Sequence, residues 1–204
     1  MPKIIEGIEK KVIKVSGKLF LSEFYLNVDA RTIAKEVGVS VGTLYNYFPT
    51  KQDIFLAVVD KKFEKIECEL VKLLKEEGSF EERIYAYIKK LYLHTESAMN
   101  LHRSLAYLFI IEDEVVLKHI ESVHKSFQNI MRNTVFSVVI EKYPNITESE
   151  LGKILTVIRS SIFFFIKQHR EKKADFSGDV KMLYEIFIGF LKSINCINKG
   201  EINE

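Results

Sequence analysis

Apolar residues in this chain recur three and four positions apart, and no segment alternates apolar with polar in the manner of a strand. From Lys3 to Phe24 they form one stripe, with Ile5, Ile8, Val12, Val15, Leu19 and Phe20 on a common side. A second, shorter helix follows Asp29, with Ala30, Ile33, Ala34 and Val37 together, and Gly38 supplies a left-handed stop. Ser40 caps a third helix, Val41 to Phe48, which Pro49 ends. Thr50 and Asp53 have the capping-box spacing for a fourth helix running from Lys51 to about Glu77. Five more helical stretches follow, at about Phe80–Ser97, Asn100–Ile111, Glu114–Tyr143, Glu148–Lys172 and Gly178–Ile197. Asp113, Pro144-Asn145 and Phe176-Ser177-Gly178 break the pattern between them. The pattern predicts an all-α chain of about nine helices.

The third helix has unusual surface chemistry. Leu44 and Phe48, four apart, point inward, while Gly42, Thr43 and Asn46 fall on the other side. That outer side is small at its start and then offers hydrogen-bonding groups and two phenols, Tyr45 and Tyr47. Short polar groups near a helix N-terminus suit the major groove of DNA. A helical hairpin with a solvated face has the same pattern, so periodicity alone leaves both readings open.

Charge favours the first reading locally. The 204 residues carry a net charge of +2, too little for a polycationic nucleic-acid coat. Up to residue 52 there are eight Lys or Arg against five Asp or Glu, so the basic excess lies at the N-terminal end. Two cysteines, Cys68 and Cys196, have no metal or redox spacing, which points to a reducing, cytoplasmic setting. The most apolar run, Ser160 to Ile166, is too short to span a bilayer, and the N-terminus lacks a signal-peptide core, so no membrane partner is expected.

The stretch from Ile33 to Lys51, IAKEVGVSVGTLYNYFPTK, resembles the DNA-binding signature of the TetR family of one-component transcriptional regulators. The resemblance implies an N-terminal three-helix helix-turn-helix DNA-binding domain, residues 1–50. A C-terminal helical domain for ligand binding and dimerisation would take residues 51–204, linked through the helix that begins at Lys51. It implies contacts with double-stranded operator DNA. Arg31 falls where some members read a base, and its planar fork fits guanine O6 and N7; a phosphate contact or a solvated arginine is the competing role. Gly42 and Thr43 fall where the family approaches bases and the thymine methyl. Asn46, at the family's variable specificity position, can pair with adenine N6 and N7. Thr32, Ser40, Tyr45, Tyr47 and Lys51 are expected at phosphate or sugar. The chain departs from the family at Phe24, usually glycine, and at Val41, usually polar, which removes one phosphate contact.

The C-terminal half is rich in Tyr, Phe and Ile, enough for a packed core or for a core enclosing an apolar ligand. An unidentified small-molecule effector is expected there, with His94, His102, Arg103, Tyr107, Arg159 and Phe163 as lining and an arginine meeting an acidic head group. The helix from Ile154 to Ile166 is apolar nearly all round, and the last helix carries Met182, Leu183, Ile186, Phe187, Phe190 and Leu191. By resemblance these two helices form a homodimer interface that includes Ser160, Phe164, Phe187 and Phe190; burial within one subunit is the alternative. His94 and His102 stand eight apart and His119 and His124 five apart, neither being the i,i+4 spacing of a helical metal motif. No catalytic residue, cofactor or metal is expected, because no phosphate loop, nucleophile triad or carboxylate pair is recognisable. The expected function is that of a repressor released from a palindromic operator by a small, mainly apolar effector. The competing function is that of a DNA-organising or cell-division interaction protein on the same fold.

Overall fold

The computed structural model describes residues 7–110, 114–169 and 175–200. Among them are nine α-helices and no strand. These are α1 (Ile8–Ser22), α2 (Ala30–Val37), α3 (Val41–Tyr47), α4 (Lys51–Lys75), α5 (Phe80–Ser97), α6 (Met99–Ile110), α7 (Glu114–Val139), α8 (Glu148–His169) and α9 (Phe176–Asn198), with a short 3-10 turn at Tyr25–Asn27. The start of the first stripe at Lys3 and Ile5, the break at Asp113 and the end of the eighth stretch at Lys172 lie outside the described residues. The seventh helix stops short of Tyr143, because the chain turns after Val139.

Local chemistry accounts for the helix ends. Three capping boxes start helices: Thr50 with Asp53, Ser79 with Glu82, and Thr147 with Glu150. In each, the carboxylate takes the backbone N–H of the capping residue while that residue's hydroxyl takes the N–H three positions on, so two donors left open by the helix are met together.

Two compact units emerge from the packing: Met1–Lys65 with Ser97–Lys125, and Ile66–Glu96 with Ser126–Glu204. The division between these units lies inside α4 and α7, and α6 is grouped with the N-terminal helices.

In the first unit, Phe20, Tyr25 and Phe55 pack edge to face or stacked, with Phe55 5.1 Å from each of the other two rings. Val12, Ile33, Val37, Leu44, Ile54 and Val59 close around them. A polar latch ties α6 to this group. Ser104 Oγ accepts the Tyr25 N–H at 2.9 Å and donates to the Asn100 carbonyl. Asn100 Nδ2 donates to the Leu21 and Ser22 carbonyls at the end of α1. Phe24, where the family pattern has glycine, packs edge-on against Tyr107 and lies under the Arg103 guanidinium.

The second unit has its own core, including Leu70, Leu74, Ile84, Ile88, Leu151, Ile158, Ile162, Leu183, Phe187 and Leu191. Within it, Tyr92 donates to Asp179 at 2.8 Å, which satisfies a buried carboxylate; burial and that bond both push the phenol's pKa up. Phe187, expected at a subunit interface, is instead 1% exposed. It lies on the side of α9 that also carries Leu183 and Leu191, and is used within its own chain.

Candidate nucleic-acid interface

The segment from Asp29 to Phe48 is held by backbone and capping bonds that leave one side of α3 bare. Asp29 accepts the Thr32 N–H at 2.6 Å; that bond leads the effects that lower the Asp29 carboxyl's pKa. Gly38 ends α2 at φ 81°, a conformation that L side chains rarely adopt, and the N–H groups of Gly38 and Val39 both return to the Ala34 carbonyl at 2.9 Å. Ser40 then takes the Thr43 N–H at 3.0 Å, and its hydroxyl shares a further bond with that of Thr43. Leu44 is fully buried and fixes the rotation of α3 about its axis.

With that rotation set, Ser40, Gly42, Tyr45 and Asn46 are exposed on α3, and Arg31, Thr32 and Lys35 are exposed on α2. Thr43 is half-buried. Val41 and Tyr47 are also half-buried and pack against the core of the first unit, so each gives only part of its surface to the outside. A Cβ added at Gly42 would meet just the Ser40 Oγ, at 3.8 Å. The fold therefore does not require glycine there, and the bare backbone faces outward.

Lys51, expected at phosphate, is turned inward. Its ammonium donates to the Tyr25 and Val28 carbonyls, each at 2.9 Å, and sits 4.0 Å from the centre of the Tyr25 ring. The start of α4 thereby lies beside the 3-10 turn and the Val28 carbonyl that follows it. Burial lowers the ammonium's pKa, and the charge of Asp29 opposes that shift. The sequence gives no sign of this role, because the two carbonyls are 26 and 23 residues away.

The six residues expected to line an effector pocket divide between the two units. His102, Arg103 and Tyr107 belong to the first unit, and His94, Arg159 and Phe163 to the second. His94 pairs with Glu69, which Lys90 also contacts, and Phe163 is exposed. The second unit holds a cavity of about 650 Å³ among α5, α7 and α8, whose lining includes Arg159 but neither His94 nor Phe163. Tyr87, Arg132 and Lys153, which the sequence pattern did not single out, line it as well. Of the histidines with spacing worth noting, His119 bonds Asp60 and the side chain of His124 lies outside the described residues. Among the described residues no group of three or more His, Cys, Asp or Glu is placed to hold a metal ion, and no helix is long and apolar enough to cross a membrane.

A capped helix whose inner side is locked by Leu44 and whose outer side presents Gly42 and Asn46, set after a tight glycine turn, defines a helix-turn-helix DNA-binding protein. Residues 13–58 match the sequence profile described as bacterial regulatory proteins, tetR family. Over these residues the chain carries the DNA-binding domain of tetR-family transcriptional regulators.

Similar proteins include the HTH-type transcriptional repressor KstR of Mycolicibacterium smegmatis, 21% identical over 88% of this chain and 86% of that protein. The nucleoid occlusion factor SlmA of Glaesserella parasuis is 26% identical over 85% of this chain and 92% of its own length. Among solved structures, the regulator FadR of Bacillus subtilis in complex with stearoyl-CoA has the same fold, with a TM-score of 0.67 and 18% identity over 89% of this chain and 98% of that one. A Streptomyces coelicolor tetR-family regulator aligns with a TM-score of 0.73 at 14% identity, covering 98% of this chain and 86% of that one. The relatives named here are regulators and a nucleoid occlusion factor, not enzymes.

Proposed function

We propose that the chain acts in the cytoplasm as a homodimeric repressor, held on a near-palindromic operator by two copies of α3 and released by a small, mainly apolar effector. The observation that carries this is the outward side of α3, where Gly42 and Asn46 are exposed over a fully buried Leu44. Asn46 and Arg31 take the base-reading roles, Gly42 and Thr43 the close approach, and Thr32, Ser40 and Tyr45 the phosphate and sugar contacts, with Val41 and Tyr47 at the margin. Residues 1–50 form the DNA-reading head and 51–204 the effector and dimerisation part.

Dimerisation is supported by an apolar stripe left in the open. Val157 and Phe164 on α8 are 46% and 61% exposed, and Met182, Phe190 and Ile197 on α9 are 43%, 44% and 49% exposed. Ser160 and Gly189 lie within these stripes and are small enough for close helix approach. A second copy of the chain supplies a matching stripe by two-fold symmetry. The two recognition helices then meet successive major grooves, about 34–36 Å apart on B-form DNA. The effector acts by binding more tightly to the chain pair whose heads no longer match that spacing, with α4 as the lever.

Gel shifts against a selected operator and a scrambled duplex test the DNA reading; equal affinity for both rejects it. Sedimentation of Phe164→Glu and Phe190→Glu tests the pairing, which is rejected if both remain dimers. A second reading, a DNA-organising interaction protein without small-molecule control, is favoured by the similarity to a nucleoid occlusion factor. Chromatin immunoprecipitation separates the two: many dispersed sites support the second, and one or a few promoters support the first.

A further inference from the structure

The cavity of the second unit is lined by three basic side chains, Arg132, Lys153 and Arg159, against one acid, Glu148. Two of the basic groups are incompletely met. The Nε atoms of Arg132 and Arg159 are both buried, with no hydrogen-bond acceptor among the described residues. Glu148 stands 4.0 Å from the Arg132 Nε, an ion-pair distance beyond hydrogen bonding, and half of its side chain is in solvent. Arg132 is held in place by Asn129, which accepts from Nη2 at 3.3 Å, and its stem passes α8 at Gly152. The buried Tyr87 lines the cavity with Arg159, and burial pushes its phenol's pKa up.

An arginine cannot shed its charge, so two guanidinium groups lining one cavity favour an anion beside them. A planar guanidinium also suits the paired oxygens of a carboxylate or phosphate. Met131 and Leu155 supply apolar wall beside these groups, and the volume of about 650 Å³ is that of a site for a small organic molecule.

We infer that this cavity binds a small amphipathic anion, its carboxylate or phosphate head on Arg159 and Arg132 and its apolar body along Met131 and Leu155. This deepens the reading of the chain as an effector-controlled regulator, and rests on it only for the consequence of binding. The anion is held by the second unit alone, so its binding does not need DNA.

Isothermal titration calorimetry of the full chain without DNA, using sodium octanoate, octan-1-ol and inorganic phosphate, tests it. Saturable binding of octanoate or phosphate, reduced about tenfold or more in Arg159→Gln, is the expected result. Octanoate alone identifies a carboxylate head, and phosphate alone a phosphate head. Arg132→Gln is the parallel variant should Arg159→Gln fail to fold, and Arg159→Lys should restore part of the affinity. Octan-1-ol binding as tightly as octanoate, saturation by neither anion, or anion binding indifferent to both Gln variants overturns the inference. Anion binding without operator release in a gel shift leaves it standing and removes only the effector role.

Discussion

Replacing Lys51 by Met separates an internal brace from a DNA contact. The substitution keeps most of the stem and deletes the ammonium, and with it two bonds of 2.9 Å to the Tyr25 and Val28 carbonyls and a cation placed 4.0 Å from the Tyr25 ring centre. Hydrogen bonds from a charged donor contribute about 1.5–3 kcal/mol each, and a partly exposed cation–π contact about 0.5–1 kcal/mol. Desolvation of the ammonium, the first cause of its lowered pKa, takes back a share. A net loss of roughly 2–3 kcal/mol remains, or about 4–12 °C in the melting temperature of a chain this size. Thermal or urea unfolding at fixed protein concentration measures it. The second readout is the salt dependence of operator binding, taken where the variant is still folded. Each lost phosphate contact lowers the slope of log K against log salt by about 0.9. The internal role leaves that slope unchanged. An unaltered melting temperature with a slope reduced by about one per head would refute the reasoning.

Other substitutions separate fold from function in the same way. Gly42→Ala adds a methyl that meets only the Ser40 hydroxyl oxygen, at 3.8 Å, so stability should hold or rise by up to ~1 kcal/mol while operator affinity falls; unchanged affinity would show that α3 does not approach DNA there. Asn46→Ala should leave the melting temperature alone and cut discrimination at one base pair by roughly 1–3 kcal/mol, whereas equal losses on operator and scrambled DNA would remove its base-reading role. Asn100→Ala opens the latch onto the Leu21 and Ser22 carbonyls, and should cost about 1–2 kcal/mol in urea unfolding; a neutral result would mean that water replaces the amide without loss. The capping carboxylates of Asp29, Glu82 and Glu150 are held below their ordinary values of 3.8, 4.5 and 4.5, chiefly by backbone N–H bonds from Thr32, Ser79 and Thr147. Their stabilisation is complete above those ordinary values and is lost as pH falls through the lowered ones. The urea midpoint should therefore be level from about pH 7 to 5 and drop below pH ~4; a midpoint level to the acid limit would contradict it.

What the sequence determined by itself was whatever depends on neighbours a few residues apart. Helix periodicity, the caps at Asp29, Ser40 and Thr50, the glycine stop at Gly38 and the inward turn of Leu44 all act within four or five positions, and the structure has each of them. The outer side of α3 was legible for the same reason, since burying Leu44 fixes where Gly42 and Asn46 point. Tertiary structure decided the roles set by distant partners. Lys51 reads as a cation at a helix start, well placed for phosphate, until the fold brings the Tyr25 and Val28 carbonyls to it. Phe187 and Phe190 are alike in type and three apart on α9, yet packing buries one and exposes the other. Arg159 shares its cavity with Arg132, 27 positions earlier, and not with His94 or Phe163 of the same unit. No periodicity carries such a pairing, because it follows from which helices come together and not from the spacing along any one of them.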